Sequence, residues 1–185
     1  DLHIFNNKRH EEHKELIDNF TILLKKEEVD LVYVVGDVQD SKSRVSPEQI
    51  ELLNYFFYKI SSIAPVIVTL GNHDANLQNK QRLDSLSPII NNIQGDNPIY
   101  YLRDSGVYTL YNIDWVVWSR YDEKNPVEGF VKNKFTIGCY HGPVKGAKTD
   151  TGWGNFSDAL PIEIFNQCDN VFLGDIHKMS FFRNN

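Results

Sequence analysis

Apolar and polar positions along this chain follow two rhythms in turn, first a helix-and-strand alternation and then a run of short strands. Residues 7–28 place Leu16, Phe20, Leu23 and Leu24 between charges, a spacing that predicts an amphipathic helix. Residues 30–35 are almost continuously apolar and end in Gly36-Asp37, which predicts a buried strand feeding a loop. Ser46-Pro47-Glu48-Gln49 reads as a helix start, with Ser46 as N-cap, Pro47 at the first helical position and Gln49 three residues on. Ile50, Leu53, Phe57 and Ile60 then mark one face of that helix. Residues 65–70 form a second buried strand ending in Gly71-Asn72-His73-Asp74, and residues 80–92 read as helical with an interruption at Pro88.

The rhythm then changes. Residues 99–102, 107–111 and 115–119 are short aromatic and β-branched runs separated by turn residues, which predicts an antiparallel meander. Residues 134–140 are a further strand ending in His141-Gly142, residues 143–157 a long loop and residues 160–166 a short helix. A last strand over 170–173 ends in Gly174-Asp175-Ile176-His177.

Composition adds boundaries to this picture. The 185 residues support one domain with a sizeable core. With 41% hydrophobic and 24% charged residues the chain is globular rather than disordered. A net charge of −6 argues against a protein that coats nucleic acid through its own basic surface, but not against one whose bound cations supply positive charge locally. Cys139 and Cys168 lie in strand-like apolar surroundings and read as buried thiols. No apolar run approaches a membrane span and no signal peptide is visible, so a cytoplasmic enzyme is expected.

The chemistry lies at the strand ends. Four strands finish at their carboxyl tips in loops carrying Asp, Asn or His, and Asp1-Leu2-His3 would be a fifth if a strand preceded it. Ligands of open α/β sheets sit outside the carboxyl ends of strands, so these loops would gather their side chains in one place. Asp1, Asp37 and Asp175 offer carboxylates, Asn72 an amide oxygen, and His3, His141 and His177 imidazoles. Seven ligands with one bridging carboxylate would hold two ions, and oxygen and nitrogen donors without sulfur suit manganese, magnesium, iron or zinc. Two such ions roughly 3.5–4 Å apart clamp a phosphate and lower the pKa of a water.

Asp-x-His, Gly-Asp, Gly-Asn-His-Asp, His-Gly and Gly-x-x-His, in this order, resemble the calcineurin-like metallophosphoesterase superfamily over almost the whole chain. Residues 37–46, 65–74, 82–89 and 174–178 are most similar to the SbcD-type nuclease subunit of DNA repair, in its phage and viral branch. The resemblance implies an α/β sandwich of two facing mixed sheets flanked by helices, in four layers (α-β-β-α), lacking its first strand. Residues 1–185 would then be a catalytic core truncated at both ends. It further implies that Asp1, His3 and His177 hold one metal, Asp37 bridges both, and Asn72, His141 and Asp175 hold the second, manganese being preferred. His73 would face the scissile phosphate and protonate the leaving oxygen, and Asp74 would orient His73. The implied partners are DNA, an SbcC-type ATPase and a second copy of the chain, with no membrane.

Two positions depart from the pattern. Asp175 stands where most of the superfamily has His, and Asp40 where cellular SbcD-type nucleases commonly carry His; the latter position bears on the balance of exonuclease and endonuclease activity. A small-molecule phosphatase or cyclic-nucleotide phosphodiesterase would use the same site, and a catalytically weak binding module would keep the fold without cutting. Beside the motifs, Lys42, Arg44, Lys145, Lys148 and Lys178 are either phosphate-tracking or solvated charges. His10 and His13 read as solvated surface, and Trp115, Trp118 and Trp153 as packing.

Overall fold

In the computed structural model, residues 1–122, 124–149, 151–154 and 156–181 are described, so positions 150 and 155 of the expected long loop lie outside the described residues. Helix α1 (His10–Lys26) follows Arg9, which takes a left-handed backbone. Its buried face is His13, Ile17, Thr21 and Leu24. Of the expected stripe only Leu24 points inward, while Leu16, Phe20 and Leu23 face outward. The polar members of the observed stripe are buried because each satisfies itself locally: the Thr21 hydroxyl donates to the Ile17 carbonyl (2.6 Å) and His13 Nδ1 to that of Arg9 (2.8 Å). His13 is therefore core rather than solvated surface, and His10 is half-buried with its Nε2 on the Phe5 carbonyl (2.7 Å).

Strands β1 (Val32–Val34), β2 (Val66–Thr69) and β3 (Ile99–Leu102) form a parallel sheet in the order β1-β2-β3. Helix α2 (Pro47–Ser61) crosses between β1 and β2, its first turn capped by Ser46, whose Oγ accepts from the Gln49 N–H at 3.1 Å. The second sheet runs β4-β5-β6-β7, from β4 (Gly106–Leu110), β5 (Ile113–Trp118), β6 (Phe135–His141) and β7 (Asn170–Gly174). Only β4 and β5 are antiparallel; β6 runs parallel to β5 and to β7. The expected three-strand meander is thus split, because β3 belongs to the first sheet. Alternation and β-branching define a strand, not its partner, and the chain changes sheets within residues 103–105.

The helix expected over 80–92 is a single turn, α3 (Ser87–Ile90). Pro88 opens that turn instead of interrupting a longer helix. The buried Asp84 carboxylate accepts from the Leu86 and Ser87 N–H groups (3.0 and 2.7 Å) and from the Ser87 hydroxyl (2.6 Å), fixing a start at this point. The short helix expected over 160–166 is a 3-10 turn (Ile162–Phe165).

Three apolar clusters order these layers. One lies between α1, α2, α3 and the outer face of the first sheet, through Ile17, Leu53, Phe57, Val66 and Val68. The second fills the space between the sheets with Ile67, Trp115, Val117 and Cys139. The third covers the far face of the second sheet, where Trp118 meets Phe165 edge-on at 4.8 Å. The architecture is an α/β arrangement of one parallel and one mixed sheet. Among the described residues, α-helices cover one side only, and the fourth layer is the 3-10 turn with its flanking loops. Trp115 and Trp118 are packing residues, as expected, whereas Trp153 is exposed and rests on Phe156. No described helix is long and apolar enough to cross a membrane.

Both cysteines are free. Burial pushes the Cys139 thiol up to about 12 and that of Cys168 up to about 11. At pH 8 both should resist iodoacetamide in the native protein and react at once after denaturation; rapid native alkylation counted by mass spectrometry would contradict this packing.

Candidate metal centre

The carboxyl tips of β1, β2, β6 and β7 lie side by side, because the strands within each sheet are parallel there and the two sheets face each other. The chain start is tied to the same tip. Ile4 forms a parallel bridge with Gln39, and the Leu2 and His3 N–H groups both donate to the Asp37 carbonyl (2.8 and 3.0 Å). This places Asp1 and His3 next to Asp37.

Close approach of these loops depends on glycine. A Cβ on Gly71 would stand 2.1 Å from the Asp37 nitrogen and 2.2 Å from its Oδ1, far inside contact distance. Three proposed ligands also hold left-handed backbones without being glycine: His3 (φ 48), Asp37 (φ 47) and Asp175 (φ 80). Such conformations cost on the order of 1–3 kcal/mol each and cluster at functional sites.

At the centre, His141 Nε2 lies 3.1 Å from Asp37 Oδ2 and 3.1 Å from Asn72 Oδ1. Its Nδ1 donates to the Val35 carbonyl at 2.6 Å, which fixes the tautomer and turns the lone pair of Nε2 toward the two oxygens. Three acceptors therefore converge on one point. His3 Nε2 is 3.7 Å from the same Asp37 Oδ2 and 3.3 Å from His177 Nε2. The Asp1 carboxylate stands between the two groups, 3.6 Å from His141 Nδ1 and 3.9 Å from His177 Nε2, and accepts from the Asp175 N–H at 3.2 Å. Two tight triads result, His3–Asp37–His73 and Asp1–Asp37–His141, each with its ligand atoms within 4.8 Å of one another. Asp37 belongs to both, as a bridging residue would. Asp1, by contrast, sits closer to the His141 group than the expected division between two ions implies, and His73 approaches the His3 group.

Electrostatics agree with a cation-seeking site. Burial opposes ionisation of Asp37, yet the hydrogen bond and charge of His141, with the His73 N–H, hold its carboxyl below the usual range. Burial likewise works against a charged His141, but Asp37 and the Val35 carbonyl outweigh it and raise the ring above its ordinary value. The same acceptors that favour a positive charge on His141 would favour a divalent cation. Burial lowers His3, with Asp37 opposing and His73 and His177 adding to the effect. The donor set fits divalent metal: carboxylate, amide and imidazole, with no cysteine in either triad.

Asp74 finds its hydrogen-bond partners in the main chain. Its buried carboxylate accepts from the backbone N–H groups of Val38, Gln39 and Gly71 at 3.1, 3.3 and 3.0 Å, so it clasps the β1 loop to the β2 loop. Burial, and then the charge of Asp37, push this carboxyl up to about 6 against those bonds. His73 is instead oriented by the Asp40 carbonyl, which accepts from Nδ1 at 2.7 Å, while its own N–H donates to Asp37 Oδ1 at 2.8 Å. Val35 and Asp40 thus act through carbonyl oxygens, and a backbone atom leaves no mark on residue type. Lys42 reaches the Asn72 carbonyl at 3.1 Å, on the rim of the centre. His177 and Lys178 border a depression of about 460 Å³ that also touches Asp1, Gly142 and Gly174.

A family model for calcineurin-like phosphoesterases matches residues 1–179. The chain is also 40% identical, over 198 residues, to the uncharacterized protein R555 of Acanthamoeba polyphaga mimivirus. That match covers 100% of this chain and 15% of the viral protein, so the chain spans about 15% of the length of the curated relative it matches.

Proposed function

The chain belongs to the calcineurin-like phosphoesterase family, and on that premise we propose that it hydrolyses phosphodiester bonds of DNA with two divalent ions, as an SbcD-type nuclease subunit. The observation that carries the reading is the convergence of Asp37 Oδ2, Asn72 Oδ1 and His141 Nε2 through 3.1 Å contacts, with His3 and His73 gathered at the same Asp37 and His177 beside His3. Similarity of residues 82–89 and 174–178 to SbcD-type nucleases, beside the motif loops, favours DNA over a small ester.

Asp1, His3 and His177 with Asp37 would hold one ion, and Asn72, His141 and Asp175 with Asp37 the other. When bound, such ions neutralise phosphate charge and lower the pKa of a water. The remaining work falls to the protein. Val35 holds His141 in one tautomer, Asp40 holds the His73 ring, and His73 delivers a proton from Nε2 to the leaving oxygen. An SbcC-type ATPase and a second copy of the chain complete the proposal. The outward Ile50 and Tyr58 of α2, with the exposed Leu83, offer the dimer surface. The full-length protein should scatter light as a dimer; a monomer at high concentration would remove that part.

Labelled double-stranded DNA with manganese tests the function: cleavage is expected, and turnover of small phosphate esters alone would transfer the protein to the phosphatases. Calorimetry addresses the binding-module alternative, for which fewer than two manganese ions should bind. Manganese should also support cleavage better than zinc. Two divalent ions against Asp1, Asp37 and Asp175 leave a formal charge of +1, since 4 − 3 = 1, whereas His at 175 leaves +2. Hard oxygen donors favour manganese and magnesium. Asp175→His should therefore shift preference toward zinc, and equal rates with both metals in both proteins would refute the argument.

A further inference from the structure

The loop after β1 carries a cation that its own contacts leave half used. Lys42 is exposed, and its Nζ donates to the Asn72 carbonyl at 3.1 Å. No carboxylate among the described residues pairs with it. An ammonium has three donors, so two remain for another acceptor. Of the basic residues beside the motif loops it is the one tied to the site: among the described residues, the side chains of Arg44, Lys145, Lys148 and Lys178 make no hydrogen bond.

That single contact fixes where the cation stands. The trans peptide joining Asn72 to His73 turns its carbonyl to Lys42 and its N–H, on the opposite edge, to Asp37 Oδ1 at 2.8 Å. Lys42 therefore lies outside the ligand set but only one peptide away from it. Along that path its Nζ is no more than about 8.5 Å from the Asp37 carboxylate. The loop that bears it is pinned at both ends. The Asp40 N–H donates to the Ile4 carbonyl at 3.1 Å, and the Asp40 carbonyl holds the His73 ring. Ser46 donates to the Asn6 carbonyl and caps α2.

We propose that Lys42 binds a phosphate of the substrate strand next to the scissile one, its two unused donors meeting the phosphate oxygens. A charged donor makes its strongest hydrogen bonds to an ionised acceptor, and a neutral carbonyl is a weaker partner. A chain of net charge −6 repels a polyanion, so a strand entering the site needs a local cation beyond the metals. The scissile phosphate belongs at Asp37, Asn72 and His141. Lys42, on the outer edge of the Asn72–His73 peptide, meets the neighbouring phosphate instead. A small ester has no second phosphate to offer, so this lysine favours a polynucleotide. The inference rests on the nucleic-acid reading of the same site.

The test compares Lys42→Met, which keeps the length of the side chain, and Lys42→Arg with the parent. Binding is read by fluorescence anisotropy with a labelled, non-cleavable phosphorothioate oligonucleotide in manganese, at several salt concentrations. Affinity should fall about tenfold in Lys42→Met, as expected for one hydrogen bond to a charged group. The slope of log K against log salt should shrink by about 0.7–0.9, the share of one phosphate contact. Lys42→Arg should restore the slope. The loss of kcat/KM on the cleavable oligonucleotide should exceed that on bis-p-nitrophenyl phosphate by about the same tenfold. Manganese count and Tm should match the parent. A parental slope, or equal losses on both substrates, overturns the assignment. A lower Tm or manganese count with a parental slope makes Lys42 a prop for the Asn72 loop and likewise overturns it. If the parent hydrolyses the small ester but not DNA, the nuclease reading fails, while the slope still decides whether Lys42 contacts phosphate.

Discussion

Asparagine in place of His73 should lower DNA cleavage about 10²–10⁴-fold, the range that general acid–base catalysis supplies, while manganese uptake stays nearly intact. The ring is held from behind by the Asp40 carbonyl at Nδ1, which leaves Nε2 free to carry a proton outward. Its backbone N–H, not its side chain, contacts Asp37. An asparagine preserves that N–H and places an amide where the ring was, but an amide is a poor acid. Loss of charge stabilisation in the transition state adds to the effect. The triad His3–Asp37–His73 raises the competing possibility that the ring is itself a ligand. Calorimetric counting of manganese decides between them. One ion fewer in the variant makes His73 a ligand, and two ions with parental cleavage leave it without a catalytic part.

The strand-tip loops were legible in the sequence because two simple signals coincide there. A buried parallel strand reads as an unbroken apolar run, and Gly next to Asp, Asn or His ends it where the backbone must turn. Residues 30–37, 65–74 and 134–142 show both, and the structure brings Asp37, Asn72 and His141 together. Partnership was not legible. β3 carries the same aromatic, β-branched pattern as β4 and β5, yet pairs parallel to β2, because pairing is decided by the layer each face must cover. The buried face of α1 differs from the expected one for a related reason. Leu16, Phe20 and Leu23 are individually the stronger hydrophobes, but the helix turns His13 and Thr21 inward, and local hydrogen bonds make that inexpensive.

Residue roles inside the site divide along the same line. Ligand types follow from side-chain chemistry, which a sequence displays. Orientation follows from what stands behind each site residue, and here that is main chain: the Val35 carbonyl behind the His141 ring, the Asp40 carbonyl behind the His73 ring and the Asp37 carbonyl behind the backbone of Leu2 and His3. The family resemblance implies an orienting role for Asp74, the direct neighbour of His73. In an extended loop, however, neighbouring side chains point in different directions, and this one turns into the protein.

That placement makes Asp74 a structural clasp, and its removal should cost more than a modest loss of rate. In Asp74→Ala the N–H groups of Val38, Gln39 and Gly71 lose their common acceptor inside the fold. Each buried donor left unpaired costs about 1–3 kcal/mol, against a total stability of about 5–15 kcal/mol for an ordinary domain. Even a sum near the low end, about 3 kcal/mol, corresponds to a fall in Tm of about 6–12 °C for a chain of this size. The damage should reach the site as well. Gly71 packs against Asp37 with no room to spare, and Val38 is the next residue after Asp37, so slack between the two loops separates Asp37 from Asn72. Manganese binding should therefore weaken together with the melting temperature. Asp74→Asn is the sharper variant. It keeps size and one acceptor oxygen, but turns an amide N–H₂ toward backbone donors, so it should destabilise despite its near-identical shape. An orienting partner of His73 would behave otherwise: cleavage would fall while Tm and metal count stayed at parental values. Calorimetric melting and manganese titration of both variants separate the two roles, and parental Tm with full metal uptake in Asp74→Ala would refute the clasp.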